Sequence, residues 1–128
     1  MNTTTAAALA TIPAAIGAAF AGGTYAGIIR GVAGAPDQHL VLLPGEGVNV
    51  KWDDAVIFAQ AAGGELPTRA EQALLFANLK DQFEPRWHWS CEQAGPSLAW
   101  GQYFGNGDQY DFNRSYEGRA RAVRRLEI

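Results

Sequence analysis

The sequence predicts an α+β domain in which two helices pack on a small, mostly antiparallel sheet. Three observations carry this prediction. The last third, Trp87 to Arg125, alternates side chains at the two-residue period of half-buried strands. The middle, Asp53 to Leu79, has helical spacing with its own start and stop signals. The elements run strand, strand, helix, helix and then several strands, without βαβ alternation or an internal repeat, so the helices segregate from the sheet.

Residues 1–22 read as an Ala-rich arm, followed by one domain over 23–128. Within the arm, Thr3 to Ala10 is expected to form a turn or two of helix, and Pro13 to Gly23 an irregular segment. No Lys or Arg precedes Arg30, so the basic region of a secretory signal is missing. Pro13 and Gly17 break the apolar run, which makes a spanning helix and membrane insertion unexpected. Such an arm either frays or packs against a neighbouring subunit or particle.

The domain is expected to open with a hairpin of Thr24–Ile29 and His39–Leu43, the second strand ending at Pro44-Gly45. His39, beside Asp37 and Gln38, is expected to be solvated or capped. Gly45-Glu46-Gly47 lacks a third Gly and a following Lys-Ser/Thr, so it reads as a turn and not as a phosphate loop. Asp53 is placed to cap a helix from Asp54 to Ala62, with Val56, Ala59 and Ala62 on one stripe and Gly63-Gly64 as its stop. Thr68 and Glu71 stand at capping-box spacing and open a second helix. Ala70, Leu74, Leu75 and Asn78 carry it to about Leu79 with an apolar side toward the sheet.

In the last third, Trp87, Trp89 and Cys91 alternate with His88, Ser90 and Glu92. Trp100, Gln102 and Phe104 alternate with Gly101 and Tyr103. Gly105-Asn106-Gly107-Asp108 supplies an Asn-Gly hairpin turn before a strand at Gln109–Asn113. A third strand begins near Arg119, with Ala120 and Ala122 on one face and the alternation broken at Val123. Three of the four Trp and three of the four Tyr fall in this stretch, beside Asn, Gln and Asp side chains. Rings supply area at low entropic cost and amides adapt their hydrogen bonds, which suits a recognition surface; a β-rich core would use the same rings.

Charge and cysteine usage exclude several classes. A net charge of −3 over 128 residues argues against wholesale electrostatic binding of nucleic acid. Arg114, Arg119, Arg121, Arg124 and Arg125 form either a polyanion strip or a strand whose arginines pair with Asp53, Asp54, Glu65 or Glu71. The acidic chain favours pairing, so nucleic acid is not expected as a partner. The single Cys91 excludes an internal disulfide and any site of two thiolates. Alternation puts it on the side of Trp89, as a buried, inert thiol, with His88 on the opposite face. No cofactor and no metal set is read from the sequence.

Four segments, taken in order, carry a resemblance: Leu66–Glu71, Trp87–Ser90, Ala99–Phe104 and Tyr116–Arg125. Together they resemble a family of phage and prophage C-type-lectin-like domains related to the C-terminal domain of a bacterial collagen-like adhesin. The similarity covers about residues 23–127, and the lead-in from Ile12 to Gly27 looks like that of prophage members. The resemblance implies a C-type-lectin-like fold with its N- and C-terminal strands paired. It also implies a non-enzymatic, virion-associated module, a tail, fibre or surface protein, that meets a host-surface receptor or another virion protein. A structural decoration protein and an intracellular effector are the alternatives. A homo-oligomer, or attachment to a particle through residues 1–22, is expected.

The positions that match the family's variable ligand face are Trp100, Tyr103, Asn106, Asp108, Tyr110, Asp111, Asn113 and Tyr116. Calcium-dependent lectins carry Glu-Pro-Asn or Gln-Pro-Asp and Trp-Asn-Asp. Here Glu84-Pro85 precedes Arg86 and no Trp-Asn-Asp occurs, so a calcium-bridged sugar is not expected; Asp108, Asp111 and Asn113 either ligate a cation or are solvated in a turn, and the second is the expectation. The formylglycine-generating enzyme shares this fold but needs a cysteine pair, which this chain lacks.

Overall fold

The computed structural model describes residues 15–128; the predicted helix at Thr3–Ala10 and the rest of residues 1–14 lie outside them. The architecture is α+β, with two helices and two sheets of mostly antiparallel strands. One sheet has the order β1-β2-β3-β9, from Ala19–Phe20, Gly23–Ile29, Gln38–Leu42 and Val123–Glu127. The other has the order β4-β8-β5-β6-β7, from Gly47–Val50, Gly118–Ala120, Trp87–Gln93, Leu98–Tyr103 and Gln109–Asn113. Helix α1 spans Trp52–Ala61 and α2 spans Arg69–Leu79.

Strand β3 is central, paired on both sides, and its two faces feed two cores. Val41 and Leu43 look toward Tyr25, Trp89 and the Ala55 and Ala59 side of α1. Leu40 and Leu42 look toward Leu75 and Leu79 of α2, with Phe83, Phe104 and Val123. A strand covered on both faces has no polar side to show, which is why this run reads as continuously apolar. His39 joins it: the residue is buried, with Nδ1 2.7 Å from the Tyr25 hydroxyl and Phe20 edge-on. The expected solvated histidine is corrected, because the register of β3 between β2 and β9 closes water out.

Phe20 packs in the first core and Ala19–Phe20 pairs with Gly23–Thr24, so part of the predicted arm belongs to the sheet. The expected pairing of N- and C-terminal strands is also corrected. Among the described residues, β2 and β9 each flank β3 and do not touch as neighbours.

Helix α2 starts as the sequence dictates. Thr68 Oγ1 accepts from Glu71 N at 3.1 Å and Glu71 Oε1 accepts from Thr68 N at 2.8 Å, satisfying two free donors at once. Its sheet-facing side is more polar than predicted: Glu71, Gln72, Leu75 and Leu79 are buried, while Ala70 is exposed. Helix α1 begins earlier than predicted. Lys51 is the N-cap, without a side-chain cap bond, and Asp53 and Asp54 lie in the first turn, where their charge faces the positive helix end. Gly63, at φ +91°, follows the helix and lets the chain reverse.

The predicted three-stranded unit of the last third is rearranged. β5, β6 and β7 form an antiparallel meander. The chain after β7 then crosses over, and β8 adds to the far side of β5, in parallel, at His88↔Arg119. The break expected at Val123 is a change of sheet, with β8 ending and β9 joining β3. The predicted two-residue Asn-Gly turn is a longer loop instead. Gly107, at φ +85°, supplies the left-handed residue, and its N–H donates to the Tyr103 carbonyl at 2.8 Å.

Candidate functional site

Pairing across β5, β6 and β7 decides which side chains share a face, because residues directly opposite in an antiparallel pair point the same way. Trp87 faces Tyr103, Gly101 faces Tyr110, and Ala99 faces Phe112, so these form one face. His88 with Gln102, Gln102 with Gln109, and Trp100 with Asp111 form the other.

The second face is covered by α2. Gln72 Nε2 donates to the His88 carbonyl at 3.0 Å, and Gln102 Nε2 donates to the Gln72 carbonyl at 2.7 Å. Gln109 Nε2 donates to the Arg69 carbonyl and to Gln102 Oε1. The Arg69 guanidinium lies over the Trp100 ring, 3.6 Å from its centre, which leaves Trp100 half-buried.

The first face is open at its β7 end. Tyr103, Tyr110, Phe112 and Tyr116 are 39%, 51%, 38% and 48% exposed; Tyr110, Phe112 and Tyr116 cluster around Trp87, and Tyr103 shares their face. Phe112 stacks on Tyr116 at 4.9 Å between centroids and meets the buried Trp87 edge-on at 4.6 Å. Tyr110 lies 6.4 Å from Trp87. Two glycines let Trp87 sit beneath these rings: a Cβ on Gly101 would overlap the Trp87 ring, and one on Gly118 would fall 2.7 Å from it.

The predicted site residues therefore divide. Tyr103, Tyr110 and Tyr116 come together, with Asp108 at their edge accepting from the Tyr110 hydroxyl at 2.9 Å. That bond raises the Tyr110 pKa. Trp100, Asp111 and Asn113 belong to the other face. Asn106 stays in the loop, where its side chain accepts from Asp108 N and donates to Asp108 Oδ2. Asn113 Oδ1 accepts from the N–H and hydroxyl of Ser115 and shapes the turn after β7. Phe112 and Trp87 were not singled out, although the Tyr110–Phe112 spacing within one strand marks them as sharing a face.

The remaining reactive groups are tied up. His88 is buried and donates from Nδ1 to the Arg86 carbonyl at 2.9 Å, the role its neutral form requires against an acceptor. Burial drives its pKa down to about 4. Cys91 corrects the prediction of a buried thiol: it is exposed. The β5–β6 register shifts between Trp89 and Gln93, and Cys91 N donates to the Pro67 carbonyl, so alternation fails there. Desolvation still raises its pKa. Among the described residues, no three His, Cys, Asp or Glu side chains converge as a metal set.

Two of the five arginines, Arg114 and Arg125, pair with acids the sequence suggested, while Arg119, Arg121 and Arg124 find other partners. Arg114 bonds Asp53, Arg119 Nη1 reaches Glu46 at 2.8 Å, and Arg125 chelates Glu71 at 2.6 and 2.8 Å and also meets Glu65. Arg121 donates to the Gln82 and Leu43 carbonyls, and Arg124 to that of Ala21. Asp54 takes no part. No helix of the described residues is long and apolar enough to cross a membrane. No protein-family model matches the chain, and no curated protein matches it.

Proposed function

We propose that this chain is a non-enzymatic, C-type-lectin-like recognition module of a phage or prophage virion. It contacts a host-surface or virion partner through the face of Tyr103, Tyr110, Phe112 and Tyr116. The observation that carries the reading is the cluster of exposed Tyr110, Phe112 and Tyr116 rings around Trp87, with the exposed Tyr103 on the same face of the sheet. A surface of this kind, rimmed by polar groups, is what protein interfaces use for their anchors. The four-segment sequence resemblance supplies the virion setting. His88 held neutral in the interior and Cys91 with a raised pKa supply neither a ready base nor a ready nucleophile, which supports binding over catalysis.

The test uses the full chain with Tyr103, Tyr110 and Tyr116 all replaced by Ala. Retention on purified virions and on host-envelope fractions is expected to fall at least tenfold, with an unchanged melting temperature. Equal retention by the variant and the parent would remove the assigned face.

A further inference from the structure

Strand β7 ends the five-stranded sheet, and all but its first residue are exposed. The hydrogen bonds at its two ends fix which backbone groups remain free. Tyr103 N donates to the Asp108 carbonyl at 2.9 Å, and Arg114 N donates to the Ser97 carbonyl at 2.8 Å. In an antiparallel pair the bonded positions alternate, so the backbones of Tyr110 and Phe112 turn toward β6. Those of Gln109 and Asp111 turn outward. At Asn113 the carbonyl already accepts from Tyr116 N at 2.9 Å, which closes the edge there.

The side chains on this edge have a definite pattern. Tyr110 and Phe112 present apolar rings on one face, and Asp111 places a carboxylate on the other, beside Trp100. Among the described residues no Lys, Arg or His lies within salt-bridge distance of Asp111. A second copy is a poor occupant: antiparallel self-pairing centred here would set Asp111 against Asp111, and like charges directly opposite destabilise a sheet. The amides of Asn106 and Asn113, which would read sugar hydroxyls, are engaged in their own turns.

We infer that β7 receives an extra strand from a protein partner. The segment carries Lys or Arg opposite Asp111 and apolar residues on either side of it, opposite Tyr110 and Phe112. The backbone bonds of Gln109 and Asp111 give it a hold, and alternate side chains give it specificity. The inference rests on the recognition reading in using the same end of the sheet, and adds the partner's conformation and charge.

The experiment titrates the full chain, labelled for amide NMR, with the blocked peptide acetyl-Thr-Val-Lys-Val-Thr-amide. The amides of Gln109 and Asp111 are expected to shift. A peptide with Glu in place of Lys is expected to bind about fivefold more weakly, and Asp111→Lys to reverse that preference. Methylating the backbone nitrogen of the peptide's Lys, which would donate to the Asp111 carbonyl, is expected to abolish binding. Silent β7 amides, equal binding of the methylated peptide, or concentration-dependent dimerisation through β7 would overturn the inference. If virion retention depends on the tyrosines while β7 stays silent, recognition stands and strand addition falls. If β7 responds while retention does not depend on the tyrosines, strand addition stands and the assigned recognition face falls.

Discussion

Acidification should destabilise this protein through His88. The imidazole is 1% exposed, and its Nε2 has no hydrogen-bond partner and lies 4.0 Å from Glu46 Oε1. Burial is the largest cause of its lowered pKa and outweighs the help of the Arg86 carbonyl and Glu46; Arg121 and Arg119 add to the lowering. The sign follows directly. Below pH 6.5 the unfolded chain takes up a proton that the folded chain refuses until about pH 4. Stability is therefore complete above 6.5 and is lost as pH falls toward 4. At 1.36 kcal/mol per pH unit, the gap is worth about 3 kcal/mol, of which about 2 kcal/mol is gone by pH 5. Urea unfolding followed by tryptophan fluorescence at pH 7.5 and 5.0 measures it. His88→Asn places an amide N–H where Nδ1 donates to the Arg86 carbonyl and carries no titrating group. The variant should lose about 2 kcal/mol less than the parent between the two pH values. An imidazole of His88 that titrates near 6.5 by NMR in the unmodified protein would refute the reasoning, as would equal pH slopes in the two proteins.

Gly101→Ala should destabilise by about 1–3 kcal/mol, since the new Cβ would lie 2.6 Å from the His88 carbonyl oxygen and overlap the Trp87 ring; urea unfolding checks it. Glu71→Gln should cost about 1–3 kcal/mol, because it leaves Arg125 only the exposed Glu65 as counter-ion while sparing a partner for the Thr68 N–H; a double-mutant cycle with Arg125→Met isolates the pair.

The features legible in the amino-acid order are those that neighbouring residues decide among themselves. Thr68 and Glu71 open α2 because both partners of the capping box lie within one helical turn, and the Gly63-Gly64 stop and the β7 strand are local in the same way. Asp53 missed its cap because Trp52 N is bonded by the distant Arg114 carbonyl, which lets the helix begin one residue before it.

The remaining features depend on contacts between distant segments. Placing β9 beside β3, and β8 beside β5 and not β7, joins segments far apart in the chain, and no periodicity encodes such a partner. The same pairings sealed His39 inside, and the register shift after Trp89 broke the alternation that had placed Cys91 in the core. They also sorted the predicted site onto two faces, setting Tyr103 and Tyr110 on the face where Tyr116 stacks on Phe112 and sending Trp100 under Arg69. A strand's own period says only that neighbours point apart; which side meets water is settled by what packs against it, and here that is α2.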